Sequence, residues 1–192
     1  MKKLLLASQS PRRQQLLHDA GFDYEVVKID VEEDFPNHLK AQEIPMFLAE
    51  KKANGYTGDL ANSIVITADT TVWVDDKVLN KPADFDEAFA MIKSLSGKVH
   101  HVYTGVCLST AGKQHTFFSD TEVYFAPIPD EDIAYYINTY KPYDKAGAYG
   151  IQEWIGYRFV QKINGCYNNV VGFPIAQFCR EIKKFTLITD NR

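Results

Sequence analysis

The chain has 192 residues, enough for one large domain or two small lobes. Its 45% hydrophobic, 24% charged composition is that of an ordinary soluble globular chain, and 13% aromatics allow a substantial core. A formal net charge of −4 argues against a general nucleic-acid binder, which needs a basic face, and no run approaches the roughly 18 apolar residues of a membrane span.

In chain order, the opening MKKLLLAS has the basic start of a secretory signal. Its apolar stretch, Leu4 to Ala7, is shorter than the roughly 7–15 residues a signal needs, so a first strand over residues 3–7 is expected. Ser10 followed by Pro11 reads as an N-cap and first helical position, predicting a helix to about residue 20 that stops at Gly21. Residues 24–28 read as a second strand, residues 30–38 (DVEEDFPNH) as an acidic loop, and residues 45–54 as a helix. SIVITADTTVWV is a long β-type run, which DDK at 75–77 turns into a hairpin with Val78 and Leu79. Residues 85–95 and 130–140 read as helices, and residues 101–109 and 114–125 as a hairpin around Ala111-Gly112. Residues 158–163 and those following Asn-Gly-Cys suggest another β pair, and residues 174–185 a closing helix. Helices intermixed with hairpins predict an α/β fold with a mixed, twisted sheet and flanking helices. No repeat or linker marks a boundary, so residues 1–192 read as a single domain. Cys107, Cys166 and Cys179 are odd in number and form no CxxC pair, as expected for reduced thiols in a cytoplasmic protein.

Four stretches carry candidate chemistry. In ASQSPRRQQLL, Arg13 lies three and four residues before Leu16 and Leu17, and Arg12 four before Leu16, so both extend the inward stripe at a helix N-terminus. A strand, a Ser-rich turn and that N-terminus make a phosphate site, since arginine there is unfavourable for the helix dipole unless an anion compensates. The alternative is that both arginines are solvated, or pair with the acids at 32–34. In ITADTT, Asp69 interrupts a β-branched run where aspartate is disfavoured, as a catalytic acid or metal ligand would, or as a turn or bulge residue would. In LNKP, Lys81 precedes Pro82, which holds it extended; an exposed loop lysine is the plainer reading. In EKKA, Lys52 lies nearer than Lys51 to the Met46–Ala49–Ala53 face, where a lysine can also simply snorkel. Cations, acids and a helix N-terminus together suit phosphate chemistry with a divalent metal. There is no GxxxxGK[ST] and no GxGxxG after a strand.

ASQSPRRQQLL, ITADTTV, LNKP, HHVYTGVCL and DKAGAYGIQ…VQKINGCYNNVVGFPI resemble, in order and along nearly the whole chain, the Maf family of nucleotide pyrophosphatases. The resemblance implies two lobes around a cleft, in a fold similar to the inosine-triphosphate pyrophosphatases. It also implies hydrolysis of a nucleoside triphosphate to the monophosphate and pyrophosphate with a divalent cation, Mg or Mn, by a cytoplasmic homodimer. DKAGAYGIQ looks like the branch acting on dTTP and UTP, with a house-cleaning role against non-standard pyrimidine triphosphates. By the same resemblance Asp69 is the general base, and Arg12, Thr70 and Gln152 set base specificity. Ser8, Arg13, Lys52 and Lys81 face the phosphates, and Glu33 is an acidic metal or water ligand that shares any metal with Asp69. Glu32, one residue away, could exchange roles with Glu33. Gln9 departs from a common glycine, and Glu153-Trp154 from glycine-rich residues.

Two further readings stand beside this one. A 7-methyl-GTP or broad modified-nucleotide pyrophosphatase is disfavoured by Tyr149 and Gln152 and kept open by Glu153-Trp154. A non-catalytic nucleotide-binding regulator of septum formation would have no need of Asp69 beside a metal acid, and the negative net charge leaves no stable nucleic-acid partner to expect.

Overall fold

The computed structural model describes residues 2–189. Its sheet has the strand order β2-β1-β3-β5-β6-β7, with β4 paired to β3. β1 (Lys3–Leu6) runs parallel to both β2 (Glu25–Val26) and β3 (Ser63–Val74), with Leu4 opposite Ile64 and Leu6 opposite Ile66. β3 pairs antiparallel with β4 (Lys77–Leu79) through a two-residue turn in which Asp75 and Asp76 both have positive φ (48° and 57°). That is the backbone of a primed hairpin turn, which Asp tolerates better than most residues. β5 (Val99–Thr110) and β6 (Lys113–Phe125) form the predicted hairpin about Ala111-Gly112. β7 (Val160–Asn164) adds antiparallel to β6. Parallel and antiparallel pairs with helices between them make this the mixed α/β sheet expected.

Helices α1 (Pro11–Asp19), α2 (Glu43–Asn54), α3 (Phe85–Leu95) and α4 (Asp130–Tyr140) lie where the sequence pattern puts them. One cap differs. Ser10 occupies the N-cap position of α1, but its hydroxyl makes no cap bond; its N–H instead donates to Ser8 Oγ at 3.3 Å. Asp84 does cap α3, accepting from the Glu87 N–H at 2.9 Å, while Glu87 reaches back to the Ala83 N–H at 2.7 Å.

The predicted β pair after residue 158 is wrong in two places. Residues 154–159 are helical (α5, Trp154–Phe159), because Ile155 and Phe159 are buried four residues apart while Tyr157 and Arg158 face out. After Asn164 the chain forms α6 (Tyr167–Val171), not a strand. There the buried Asn169 amide donates to the Val102 carbonyl (2.9 Å) and Thr121 Oγ1 (3.0 Å), contacts that a strand-like reading of NNVV cannot anticipate. α7 (Ile175–Thr189) follows.

The fold divides into two compact units: Met1–Asp69 with Thr104–Ser119 and Gly172–Arg192, and Thr70–Tyr103 with Asp120–Val171. The first packs Leu6, Leu17, Ile64, Leu108 and Phe173 against Phe178 and Phe185 of α7. The second packs Val72, Ile92, Leu95 and Val123 against Ile133, Ile137 and Ile155. Burying each such side chain contributes about 1.5–3 kcal/mol.

Candidate active site

In the first unit, small residues bring α2 close to the strands behind it. Ala49 and Ala53 pack on Cys107 of β5, and Thr67 Oγ1 donates to the Ala49 carbonyl at 2.6 Å. A Cβ on Gly105 would sit 2.4 Å from the Pro45 carbonyl, so no other residue lets β5 pass the start of α2 this closely. This approach carries Lys52 to Asp69. Lys52 Nζ lies 2.6 Å from Asp69 Oδ1 and 2.7 Å from Glu33 Oε1, with the lysine and aspartate side chains only 15% and 11% exposed. Asp69 sits inside β3, not in a turn. One residue earlier on α2, Lys51 bonds the Asp34 carboxylate and, at 3.2 Å, its carbonyl. The two lysines thereby fasten the acidic loop to α2.

Arg13 ties three segments of the same unit together. Its Nε donates to the Gly172 carbonyl (2.9 Å), and its Nη1 to the Ala68 carbonyl (2.9 Å) and Ser8 Oγ (3.3 Å). Burial pulls its pKa below the ordinary guanidinium value against the opposing charge of Asp69; Arg12 lowers it further and Glu33 raises it. A guanidinium remains protonated under such a shift. Arg13 is therefore a brace as well as a cation. Ser8, Arg12, Arg13, Glu33, Lys52 and Asp69 all belong to this first unit.

Thr70, Lys81 and Gln152 belong to the second unit, with Thr70 half-buried in β3 and Lys81 exposed after β4. Gln152 lies in a tight turn in which the Glu153 N–H donates to the Gly150 carbonyl at 3.0 Å. The Gln152 Oε1 atom is buried and has no hydrogen-bond partner. A buried acceptor left unpaired costs about 1–3 kcal/mol, a cost that a donor from water or from a ligand would relieve.

Around that turn lies a network not read from the sequence. Tyr136 of α4, fully buried, donates its hydroxyl proton to the Glu153 carboxylate and accepts from the Gly150 N–H at 3.0 Å. Lys145 Nζ adds a 3.1 Å ion pair to Glu153. Nearby in the fold of this unit, His100 Nε2 shares a 2.7 Å hydrogen bond with the Tyr149 hydroxyl, and burial first, then the charge of His101, pushes the His100 pKa down to about 3. Tyr136 falls on the Ile133–Ile137 stripe and His100 in an apolar strand, so both pass for ordinary core residues.

A divalent metal was expected on Glu33 and Asp69. Two carboxylates suit Mg or Mn only in part, since such an ion takes the rest of its shell from substrate phosphates and water. The described residues contain no group of three or more His, Cys, Asp or Glu placed to hold a metal by themselves. The Lys52 ammonium already lies between the two carboxylates, so they already hold one cation, and a metal there would need further ligands from outside the chain. All three cysteines are free, and no described helix is long and apolar enough to cross a membrane.

A mixed α/β sheet with half-buried cations set around two carboxylates defines a class of protein suited to a polyanionic ligand. Residues 3–185 match the family described as Maf-like protein, and the chain belongs to that family. Among curated proteins it is 50% identical over 184 residues to a dTTP/UTP pyrophosphatase of Phocaeicola vulgatus, covering 95% of each chain. It is 51% identical over 176 residues to a dTTP/UTP pyrophosphatase of Flavobacterium johnsoniae, covering 91% of each. Among solved structures it is similar to a HAM1 protein from Coxiella burnetii at 16% identity, covering 67% of this chain and 75% of that one, with a TM-score of 0.44.

Proposed function

We propose that this protein hydrolyses dTTP and UTP to the monophosphate and pyrophosphate. The observation that carries the reading is the near-full-length, half-identical match to relatives named dTTP/UTP pyrophosphatase. The arrangement of side chains supports it residue by residue.

In this reading the first unit does the phosphate chemistry. Lys52 engages one oxygen of Asp69, and the other takes a proton from water as that water attacks the α-phosphorus. A new P–O bond to water forms, the α–β phosphoanhydride breaks, and its electron pair leaves with pyrophosphate. Lys52 holds the Asp69 carboxylate in place. Arg13 and Ser8 meet the charge that grows on the departing pyrophosphate. A bound divalent cation, held by Glu33 and Asp69, would supply charge neutralisation at the phosphate oxygens. The homodimer and the cytoplasmic setting remain part of the proposal on resemblance alone.

The second unit reads the base. Uracil and thymine present an N3–H donor, which can satisfy the buried Gln152 Oε1, while a neighbouring carbonyl accepts from the amide N–H. Cytosine has an acceptor at N3 and would leave that oxygen unpaired. The expected outcome with Mg²⁺ or Mn²⁺ is UMP or dTMP plus intact pyrophosphate, with UTP and dTTP preferred over CTP roughly tenfold to a hundredfold. Early UDP and orthophosphate would refute the pyrophosphatase reading, and equal use of CTP would refute the base assignment.

A further inference from the structure

We propose that Tyr136, acting through Glu153, fixes the orientation of the Gln152 amide and so serves as a positioning residue for base selection. This rests on the reading that Gln152 meets the base. Because Gln152 Oε1 has no partner within the chain, no bond of that oxygen sets the amide's direction. The turn that carries it must do so.

That turn is tied at both ends to a single oxygen atom. The Tyr136 hydroxyl accepts from the N–H of Gly150, where the turn begins, and donates to the carboxylate of Glu153, where it ends. The Glu153 N–H closes the loop onto the Gly150 carbonyl at 3.0 Å. Lys145 holds the Glu153 carboxylate from another side, with its own side chain 10% exposed. The backbone is also confined from behind, since a Cβ on Gly156 would lie 1.9 Å from the Ile151 carbonyl oxygen. Tyr136 is itself fully buried in the α4 core with Ile133 and Ile137. Burial and the neighbouring Glu153 both raise its pKa, so the hydroxyl keeps the proton it donates. A flipped or displaced glutamine amide could pair with cytosine; the clasp works against both. A displacement of about 1 Å at a positioned group can change rates on the order of a hundredfold.

The experiment compares kcat/KM for UTP and CTP, with melting temperatures, in the wild type, Tyr136→Phe, Glu153→Gln, Glu153→Ala, Gln152→Leu and the Tyr136→Phe/Gln152→Leu double variant. Tyr136→Phe is expected to lower the UTP-to-CTP ratio about tenfold, chiefly through a higher KM for UTP. Glu153→Gln keeps a carbonyl to accept the Tyr136 proton and should hold most of the ratio, whereas Glu153→Ala should lose it. The double variant should discriminate no less than Gln152→Leu alone. A merely structural tyrosine would lower the melting temperature and leave the ratio in place, and that result would overturn the proposal while Gln152→Leu still collapses the ratio. If Gln152→Leu itself leaves the ratio unchanged, the base-reading assignment fails first and the clasp with it. Should Tyr136→Phe not fold, the contrast between Glu153→Gln and Glu153→Ala decides the same question.

Discussion

The two units solve different electrostatic problems with different chemistry. In the first, formal charges carry the contacts: one ammonium between two carboxylates, a guanidinium braced on carbonyls, and a second lysine pinning the acidic loop. In the second, one phenol joins a carboxylate and a backbone amide, and a second phenol pairs with a neutral imidazole. Charge pairs are strong where a charged ligand must be held and charge must be stabilised as it moves. Hydroxyl networks are directional, and direction is what telling one base edge from another requires. The contrast suggests that damage to the first unit should remove turnover, while damage to the second should relax choice.

The largest expected effect tests the first half of that contrast. Asp69→Asn keeps an oxygen for Lys52 Nζ and removes the base, so kcat with UTP should fall by about 10²–10⁴-fold with the circular dichroism spectrum retained. Pyrophosphate release within tenfold of the wild type would take Asp69 out of the mechanism and erase the contrast.

A smaller effect belongs to the second unit and is read as stability. His100 is buried against Phe125 and Tyr149, with its pKa depressed from 6.5 to about 3. Its folded pKa lies below its unfolded one, so between those values the unfolded chain binds more protons. Stability from the neutral imidazole is complete above pH 6.5 and is lost as pH falls toward 3. The loss amounts to a few kcal/mol at most. His100→Gln cannot titrate, so its melting temperature should decline less steeply than the wild type's from pH 6.5 to pH 4. Carboxylates contribute equally to both proteins and cancel in the comparison. Parallel curves would mean that His100 is hydrated or already charged.

The same division governs how much could be read in advance. Long elements with strong signals were legible: the β-branched run of β3, the Asp84-capped α3, and α4 with its apolar stripe. The charged candidates were legible too, since a carboxylate inside a β-branched strand or an arginine pair at a helix start violates local preference. Tyr136 and His100 violate nothing. A tyrosine on an apolar helical stripe is ordinary core, and its role depends on which backbone amide lies beneath its hydroxyl, which is a tertiary fact. α6 was hidden for a similar reason: its one buried residue is an asparagine, so no apolar period marks it. The Ser10 cap failed in the opposite sense. Ser10 stands at the N-cap position as the motif says, yet its hydroxyl makes no cap bond, which the sequence could not show.

The smallest effect separates two adjacent lysines that composition alone treats as equal. Lys52 is largely enclosed between two carboxylates, whereas Lys51 pairs with Asp34, whose side chain is 73% exposed. Water and salt screen the outer pair, and holding two flexible side chains together offsets most of what attraction remains. The Asp34 carboxyl still sits below its usual pKa, chiefly through the hydrogen bond from Lys51, so the contact is felt locally. Its job is to limit the wandering of the acidic loop, and Glu33 next door is held independently by Lys52. Lys51→Met should therefore change kcat/KM for UTP by less than about threefold, and the difference should shrink further as ionic strength rises past about 0.15 M, where the screening length is about 8 Å. A drop of a hundredfold that persists at high salt would mean that the outer lysine belongs with the inner one, and that the first unit holds its ligand with a broader charged surface than the Lys52 pair alone.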